Sequence, residues 1–409
     1  MKVEDRFLKY VSFDTQSDEN SDLVPTTMKQ KVLAQELVNE LFELGINNAY
    51  LDEYGIVYAS IEKNSDGYPK IGFIAHMDTS PDMSGENIKP RIIQDYNGET
   101  IVLNEKLNIA MEPTEFTSLY ENIHHDLIVT DGTTLLGGDD KAGVAEIMTM
   151  AETIMSNPQI PHGTIRIAFT PDEEVGKGTD HFNIKKFDAD FAYTVDGSQI
   201  NDVNYENFNA VEAIIKIQGL SIHPGSAKGK MINSQLLAME FHSLLPTFDN
   251  PSFTEDYEGF NHLTNINGDC EHTVMNYIIR NHDNNLLAKQ KRDFENASQF
   301  LQRKYPNAII DLELTDTYSN MRNWIEKDMR VVDLAKQSIK DLGLSPISTA
   351  IRGGTDGARL TWDGLLCPNI GTGDYNCHGK FEYVSINLMR QSVSLIMKII
   401  ENSKDEQFC

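Results

Sequence analysis

Three adjacent carboxylates, Asp172, Glu173 and Glu174, lie in the stretch AFTPDEEVGKG (168–178). They closely follow IRIAF (165–169), a short apolar run typical of a buried strand. Like charges at this spacing repel one another, so the stretch has two interpretations. Either the stretch forms a solvated acidic turn, or the carboxylates bind a cation whose charge offsets their mutual repulsion.

Other predicted strands also end in potential ligands. The strand KIGFIAHMD (70–78) ends in His76 and Asp78, which are two residues apart and therefore share one face of an extended chain. Because ligands of open α/β sheets bind outside the carboxyl ends of the strands, we expect such residues to meet. The remaining candidates are Asp139 and Asp140 in TLLGGDDKAG (134–143), Asp196 in FAYTVDG (191–197) and His378 in NCHGKFE (376–382).

Each candidate also has a purely structural alternative. A single histidine often makes only ordinary hydrogen bonds, Asp139 or Asp140 suits the N-cap of the following helix, and Asp196 suits a turn. One metal centre explains all of these positions together. Two histidines and three carboxylates exceed the ligands of one tetrahedral zinc ion, and they suit two ions about 3.5–4 Å apart that share a carboxylate. Imidazole and carboxylate ligands without thiolate favour zinc, and cobalt or manganese would also fit.

The composition limits the class of partner and the compartment. The 409 residues carry 35 Lys and Arg against 62 Asp and Glu, and the net charge of −27 argues against nucleic acid or anionic membranes as partners. The sequence shows no apolar signal-like run at MKVEDRFLKY and no apolar run of membrane-spanning length. We therefore expect a cytoplasmic protein with reduced thiols at Cys270, Cys367, Cys377 and Cys409.

The order of predicted elements indicates an α/β protein with an inserted domain. Apolar strands alternate with helices in the first half, which predicts a mixed, mostly parallel sheet flanked by helices. A compact α+β unit then follows, with the order β-α-β-α-β and a ferredoxin-like arrangement. We predict a discontinuous catalytic domain at 1–207 and 319–409, and a lid or dimerisation domain inserted at 208–318.

The motifs around these residues resemble the di-zinc M20 family of metallopeptidases, in order and over nearly the whole chain from FDTQSD (13–18). HMD and DEE occur across the deacylases, dipeptidases and carboxypeptidases of that family. HPGSAKGKM and IRGGTDG are similar to its branch of tripeptide aminopeptidases. The matching motifs are HMDT (76–79), GGDDKAG (137–143), TPDEEVGKG (170–178), VDG (195–197), IHPGSAKGKM (222–231), IRGGTDG (351–357) and CHGKFEY (377–383).

The resemblance implies two zinc ions and a role for each residue around them. Asp78 would accept a hydrogen bond from His76 and fix the tautomer of that ligand. Glu173 would be the general base that takes a proton from the water between the metals and passes one to the leaving amine. Members of the family often have a cis peptide bond between the residues that match Asp139 and Asp140. The implied ligands are His76 and Asp196 on one zinc ion, Glu174 and His378 on the other, and Asp139 as the bridge.

Three further residues are candidates for substrate binding. The resemblance places His223 near the scissile carbonyl oxygen, where it would stabilise the developing oxyanion. Whether His223 acts in its own subunit or across a homodimer stays open. Arg280 ends the strand NYIIR and Arg352 lies in IRGGTDG, and each could bind the C-terminal carboxylate of a short peptide or form an ordinary salt bridge.

The predicted function is zinc-dependent release of the N-terminal residue from tripeptides. One alternative is another hydrolase of the same family, such as a dipeptidase, a carboxypeptidase or a deacylase. A second alternative is a peptide-binding protein with an inactive site. That second alternative is disfavoured because every ligand position is present together with Asp78 and Glu173.

Overall fold

The structure, a computed structural model, describes residues 1–404, which divide into two compact units. The first unit comprises Met1–Tyr205, Asn323–Thr349 and the chain from Thr355 onward. The second unit comprises Glu206–Arg322 and Ala350–Gly354. It therefore contains the insertion predicted at 208–318 and takes in a short later segment as well. That segment joins the second unit because the Ile351 backbone N–H donates to the Glu206 carbonyl (2.8 Å).

The strands and helices are numbered here in chain order. The strands are β1 (Tyr50–Leu51), β2 (Val57–Ile61), β3 (Ile71–His76), β4 (Arg91–Ile93), β5 (Ile101–Asn104), β6 (Ile109–Met111), β7 (Leu127–Val129), β8 (Ile165–Thr170), β9 (Phe191–Gly197), β10 (Val203–Asn204), β11 (Asn209–Gln218), β12 (Phe260–Gly268), β13 (His272–Asn281), β14 (Ile309–Tyr318), β15 (Asn369–Gly371), β16 (Asp374–Tyr375) and β17 (Tyr383–Ser385). The α-helices are α1 (Val3–Tyr10), α2 (Gln30–Glu43), α3 (Ser118–Glu121), α4 (Gly138–Ser156), α5 (Ile184–Phe187), α6 (Ser234–Leu244), α7 (Asn284–Lys304), α8 (Arg322–Ile325), α9 (Arg330–Asp341), α10 (Asp356–Trp362) and α11 (Ile386–Asn402).

The main sheet of the first unit has the strand order β1-β2-β8-β3-β9-β15-β10. The four central strands β8, β3, β9 and β15 are parallel, and the outer pairs are antiparallel. This confirms the predicted mixed sheet and confines the parallel pairing to its centre. All six residues of β3 are buried, as expected for a strand covered on both faces. Because β8, β3 and β9 are parallel neighbours, their carboxyl ends lie at the same edge.

Helix α4 fixes one side of that edge, because it packs against β3 and β9. Its start is irregular: Asp139 and Asp140 have non-helical backbone angles, and a cis peptide bond joins them. Gly143 lets the helix approach β9 closely, since a Cβ atom there would overlap the Val195 carbonyl oxygen. The approach brings the start of α4 beside Asp196, the residue after Val195.

Smaller sheets in the first unit were not predicted from the sequence. One has the order β16-β17-β7-β4, and the other is the hairpin β5-β6. Each of these strands has four residues or fewer, too short for a clear apolar periodicity. The connection between β16 and β17 carries His378, so this sheet positions one of the predicted ligands.

The second unit is a four-stranded antiparallel sheet with the order β12-β13-β11-β14. Its chain order is β-α-β-β-α-β, the ferredoxin-like order, and the predicted β-α-β-α-β order was wrong because it lacked β12. Most residues of β12 (FNHLTNING) are polar and exposed, because the strand lies at the edge of the sheet. Helices α6 and α7 cover one face, with Phe241 and Phe294 among its fully buried residues.

Within residues 1–404, no helix combines the length and the apolar character needed to cross a membrane. Cys270, Cys367 and Cys377 are free thiols. Cys409 lies outside the described residues.

Candidate metal centre

The predicted ligands of the first unit come from three neighbouring strand ends, the start of α4 and one loop. His76 is the last residue of β3, and Asp196 lies near the end of β9. Glu174 follows β8 in a short 3-10 turn, Glu173–Val175. Asp139 is the second residue of α4, and His378 lies between β16 and β17 with a left-handed backbone (φ 65°). We refer to these five residues as the metal centre.

The side chains of the metal centre form two groups around Asp139. Asp139 Oδ1 lies 2.8 Å from His76 Nε2, and Asp196 Oδ1 lies 3.6 Å from the same nitrogen. On the other side, His378 Nε2 lies 3.3 Å from Asp139 Oδ2 and 3.0 Å from Glu174 Oε2. Each oxygen of Asp139 therefore faces a different histidine, which is the arrangement that a carboxylate bridging two cations requires.

Donor atoms in this region are close enough to coordinate ions. His76, Asp139 and Glu174 each offer an atom within 4.8 Å of the others, and so do His76, Asp140 and Asp196. Asp140 is the less suitable of the two adjacent aspartates, because backbone amides already occupy both of its oxygens. The His76 N–H donates to Asp140 Oδ2 (3.1 Å), and the Gly143 N–H donates to Asp140 Oδ1 (3.1 Å).

Asp78 connects two of the strand ends. His76 Nδ1 lies 3.3 Å from Asp78 Oδ1 and 3.2 Å from the Asp78 carbonyl oxygen, so it donates towards Asp78 and leaves Nε2 for the metal centre. The same carboxylate accepts from the backbone N–H groups of Glu173 (3.0 Å) and Glu174 (3.2 Å). The fully buried side chain of Asp78 thus orients His76 and holds the turn that carries Glu173 and Glu174, referred to below as the acidic turn.

The acidic turn places Glu173 beside the metal centre. Burial raises the pKa of Glu173 well above its ordinary value, the charge of His76 lowers it, and the charges of Asp196 and Asp356 raise it. Asp172 is directed elsewhere: it accepts hydrogen bonds from Thr26 and Gln30, which fasten the N-terminal segment. Asp172 is therefore structural, and Glu173 and Glu174 remain for chemistry.

The charges of the metal centre are incompletely balanced by the protein itself. Burial raises the pKa of Glu174 to about 8. Hydrogen bonds that the His378 imidazole donates to Asp139 and Glu174 raise the pKa of His378 to about 11. Burial raises the pKa of Asp139, but its hydrogen bonds with His378 and His76 outweigh burial and lower it. The imidazole protons hold these carboxylates together, and a divalent cation would take over that role and displace them.

Two buried acids next to the metal centre were missed by the sequence reasoning. Glu382 accepts from the backbone N–H groups of Leu136 (2.6 Å), Gly137 (2.8 Å) and Asp139 (3.1 Å), so it shapes the start of α4. Asp374 accepts from Thr372 Oγ1 (2.6 Å) and Cys377 Sγ (2.7 Å). The available signal for Glu382 was its position in the same glycine-flanked motif as His378.

The three predicted substrate-binding residues all lie in the second unit. His223 is exposed at the start of a short 3-10 turn, and its Nδ1 accepts from the Gly225 N–H (3.2 Å). Arg280 is half-buried near the end of β13, where its Nη1 donates to the Arg352 carbonyl (3.3 Å). The structure therefore brings Arg280 and the backbone of Arg352 together.

The guanidinium groups of the two arginines differ in their remaining hydrogen-bonding capacity. Arg352 Nη1 donates to the carbonyls of Asp256 (2.6 Å) and Glu258 (3.0 Å), and its Nη2 donates to Thr254 Oγ1 (3.1 Å). Arg280 Nε is buried and has no hydrogen-bond partner among the described residues. Arg352 thus fastens a loop of its own unit, whereas the buried Nε of Arg280 makes no hydrogen bond to the described residues.

Comparison with known proteins places the chain in a family. Residues 129–402 match the model of peptidase family M20/M25/M40. A relative named peptidase T from Caldanaerobacter subterraneus subsp. tengcongensis is 50% identical over 401 residues, which cover 98% of both chains. The fold is similar to a crystal structure of aminopeptidase PepT from Bacillus cereus (TM-score 0.76, 21% identity, 99% and 98% of the two chains). It is also similar to a tripeptidase from Staphylococcus aureus (TM-score 0.77, 22% identity, 98% of both chains). The chain therefore belongs to peptidase family M20/M25/M40.

Proposed function

We propose that this chain is a zinc-dependent aminopeptidase that releases the N-terminal residue from tripeptides in the cytoplasm. The observation that carries the proposal is Asp139, whose two oxygens face two different histidines beside a turn that holds Glu173. The names peptidase T, PepT and tripeptidase among similar proteins support the substrate class.

The donor set fits two zinc ions. His76 and Asp196 would hold one ion, Glu174 and His378 the other, and Asp139 would bridge them. Nitrogen and oxygen donors without thiolate suit zinc, with cobalt or manganese as possible substitutes. When bound, the ions supply Lewis-acid activation of the peptide carbonyl and of the attacking water, whose pKa falls towards about 7.

Glu173 is the proposed general base. Burial already raises the proton affinity of its carboxylate, which suits a group that must accept a proton from water and later give it to the leaving amine. Asp78 supports this role, because its carboxylate holds the Glu173 backbone N–H (3.0 Å) while it orients His76.

His223 is the proposed donor to the oxyanion. Its Nδ1 accepts a hydrogen bond from the Gly225 N–H, so the neutral imidazole carries its proton on Nε2. An Nε2–H group is a suitable donor to the negative oxygen that develops on the scissile carbonyl. The second unit would then serve as a lid or a dimerisation domain that supplies this residue.

Arg280 is the preferred candidate for binding the substrate's C-terminal carboxylate. A buried donor without a partner costs about 1–3 kcal/mol, and a carboxylate ligand would remove that cost. A charge-assisted bond of this kind would also measure peptide length from the scissile bond. Arg352 is the weaker candidate, since Thr254, Asp256 and Glu258 already occupy its terminal nitrogens.

Product analysis by mass spectrometry tests the proposal. The substrate is a tripeptide of three different residues, compared with its N-acetylated and C-amidated forms, with and without a chelator. We expect release of the first residue only, from the free tripeptide only, and only in the presence of metal. Release of the last residue, or cleavage of the acetylated form, would identify a carboxypeptidase or a deacylase on the same metal centre.

A further inference from the structure

The segment 171–177, which connects β8 to Gly178, carries both Glu173 and Glu174, and we call it the catalytic turn. Its first end is held by Asp356, the first residue of α10. Asp356 is buried (6% exposed), and its Oδ2 accepts a hydrogen bond from Thr170 Oγ1 at 2.6 Å. Thr170 is the last residue of β8, immediately before the catalytic turn.

The second end of the catalytic turn lies against the same carboxylate. A Cβ atom on Gly178 would overlap both oxygens of Asp356, so only a hydrogen atom fits between them. The carboxylate of Asp356 therefore touches the residue before the turn and the residue after it.

Asp356 is itself fixed in place. Thr355 Oγ1 accepts from the Ala358 N–H (3.1 Å) and caps α10, and Leu360 of that helix is fully buried in a cluster with Ile74 and Ala168 of the central strands. The helix and the sheet thus form one support for the carboxylate. A displacement of the turn relative to the sheet would have to break the contacts of Asp356.

Burying this carboxylate is costly, and packing alone does not require it. Asp356 has no ion pair within 4.0 Å among the described residues, and burial raises its pKa to about 7. A neutral side chain of similar size would fill the same space without the desolvation cost of an acid. The hydrogen bond to Thr170 and the contact with Gly178 are the features that an acid or an amide supplies there.

We propose that Asp356 is a positioning residue that clips the two ends of the catalytic turn together and so holds Glu173 in place for proton transfer. This inference rests on the proposed role of Glu173. It gives the aspartate of IRGGTDG a function in the first unit, whereas the sequence reasoning considered only the arginine of that motif. Asp356 acts through Glu173 and is not proposed to touch the substrate.

The test uses the full-length protein with the variants Asp356→Ala, Thr170→Val, Thr170→Ser and the double variant Asp356→Ala/Thr170→Val. Asp363→Asn is the matched control, because it removes an exposed acid at the other end of α10. For each variant, kcat and KM are measured on a tripeptide at saturating zinc. Hydrogen–deuterium exchange of the peptide covering 171–178 is measured before zinc is added, and circular dichroism verifies folding.

We expect Asp356→Ala and Thr170→Val to lower kcat by roughly tenfold to a hundredfold, with KM within about twofold, because a misplaced base acts on the chemical step. Thr170→Ser keeps the hydroxyl and should stay within about twofold of the unchanged protein. The kcat of the double variant should be no lower than that of Asp356→Ala alone, since both substitutions break the same hydrogen bond. Exchange in 171–178 should accelerate in Asp356→Ala and stay unchanged in Asp363→Asn.

Two outcomes would overturn the proposal: an unchanged kcat in folded Asp356→Ala, or additive losses in the double variant. If Asp356→Ala does not fold, Thr170→Val and its rescue by Thr170→Ser decide the question. If the unchanged protein releases no residue from the tripeptide, the proposed function fails. The exchange rates then decide separately whether Asp356 holds the turn, and unchanged rates would refute that contact.

Discussion

At the scale of single residues, the proposed metal centre would separate the binding of cations from the movement of protons. Contacts of 2.8–3.6 Å link the five side chains of the metal centre. Glu173 lies next to Glu174 in the turn after β8 and takes no part in these contacts. Asp78 supports both the ligands and Glu173, since it orients His76 and accepts a hydrogen bond from the Glu173 backbone N–H. Loss of a ligand should therefore remove metal and activity together, whereas loss of Glu173 should remove activity and leave the metal content unchanged.

Replacing Glu173 with Ala should remove activity and leave the metals in place. We expect kcat to fall by about 10²–10⁴, the usual contribution of a general base, because the proton of the attacking water loses its acceptor. Kinetics on a tripeptide and elemental analysis of bound zinc measure the two effects. The control is Glu53→Gln, which changes an exposed glutamate in a turn of the first unit. Normal turnover in Glu173→Ala would refute the assignment.

Replacing His378 with Ala should remove metal and activity together. The imidazole Nε2 lies within 3.3 Å of both Asp139 and Glu174, so its loss leaves one side of the centre without a nitrogen donor. Elemental analysis after dialysis should show a lower zinc content than in the unchanged protein. Full zinc occupancy in this variant would mean that the ligand lies elsewhere.

Zinc binding should release protons at neutral pH. Hydrogen bonds that the His378 imidazole donates to Asp139 and Glu174 raise its pKa to about 11, so at pH 7 the imidazole is protonated before zinc binds. Coordination requires the neutral imidazole, and the proton must leave. Because a proton is lost on binding, zinc affinity should rise with pH over the neutral range and weaken on acidification. Isothermal titration calorimetry in two buffers of different ionisation enthalpy counts the protons, and zero release would contradict this picture.

At the scale of elements, the metal centre depends on how closely α4 approaches the sheet. Parallel strands bring His76, Asp196 and the acidic turn to one edge, but they do not set the distance of Asp139 from that edge. Gly143 sets it, because the helix backbone lies directly against the Val195 carbonyl of β9. The spacing between Asp139 and Asp196 is thus a property of helix packing.

Replacing Gly143 with Ala should destabilise the fold and weaken zinc binding. Alanine gains about 1 kcal/mol of helix propensity over glycine, but the new methyl group overlaps a backbone carbonyl, and such overpacking costs about 1–3 kcal/mol or more. Chemical denaturation and a zinc titration measure the two effects. Ser156→Ala, an exposed position at the end of the same helix, is the control. A Gly143→Ala protein with unchanged stability and zinc affinity would contradict the role of this contact.

The sequence predicted the central strands and the candidate ligands because each has a local signal. β3, β8 and β9 are apolar runs, and their polar ends stand out. β12 has no such signal, since its edge position leaves most residues polar and exposed. Glu382 and Asp356 escaped notice because their partners are 243 and 186 residues away along the chain. Motifs can reveal that a residue matters, but only the fold shows which distant group it contacts.

At the scale of the whole molecule, the net charge of −27 produces a negative electrostatic potential that acts on any peptide approaching the protein. Bound zinc ions would reduce it only locally, so the rest of the surface repels anionic substrates. This repulsion is screened by salt, with a Debye length of about 10 Å at 0.1 M ionic strength. Substrate preference should therefore depend on ionic strength in a charge-specific way.

Raising the ionic strength should favour acidic tripeptides. Between about 0.01 and 0.2 M salt, we expect KM to fall several-fold for a tripeptide with two acidic side chains and to change little for a neutral one. Steady-state kinetics on the pair measures the effect, and the neutral peptide is the internal control for general salt effects. Equal salt dependence for both peptides would show that the net charge does not act on substrate entry.

The contacts of Asp139 with Glu382 and His378 determine when the metal centre can form during protein synthesis. Glu382 follows Asp139 by 243 residues, and the loop of His378 is translated only shortly before it. A ribosome-bound chain can fold its early strands, but it cannot complete the metal centre until this late segment has emerged. Hydrolytic activity should therefore appear only after residue 382 has been translated, and chains that terminate before His378 should be inactive rather than partly active peptidases.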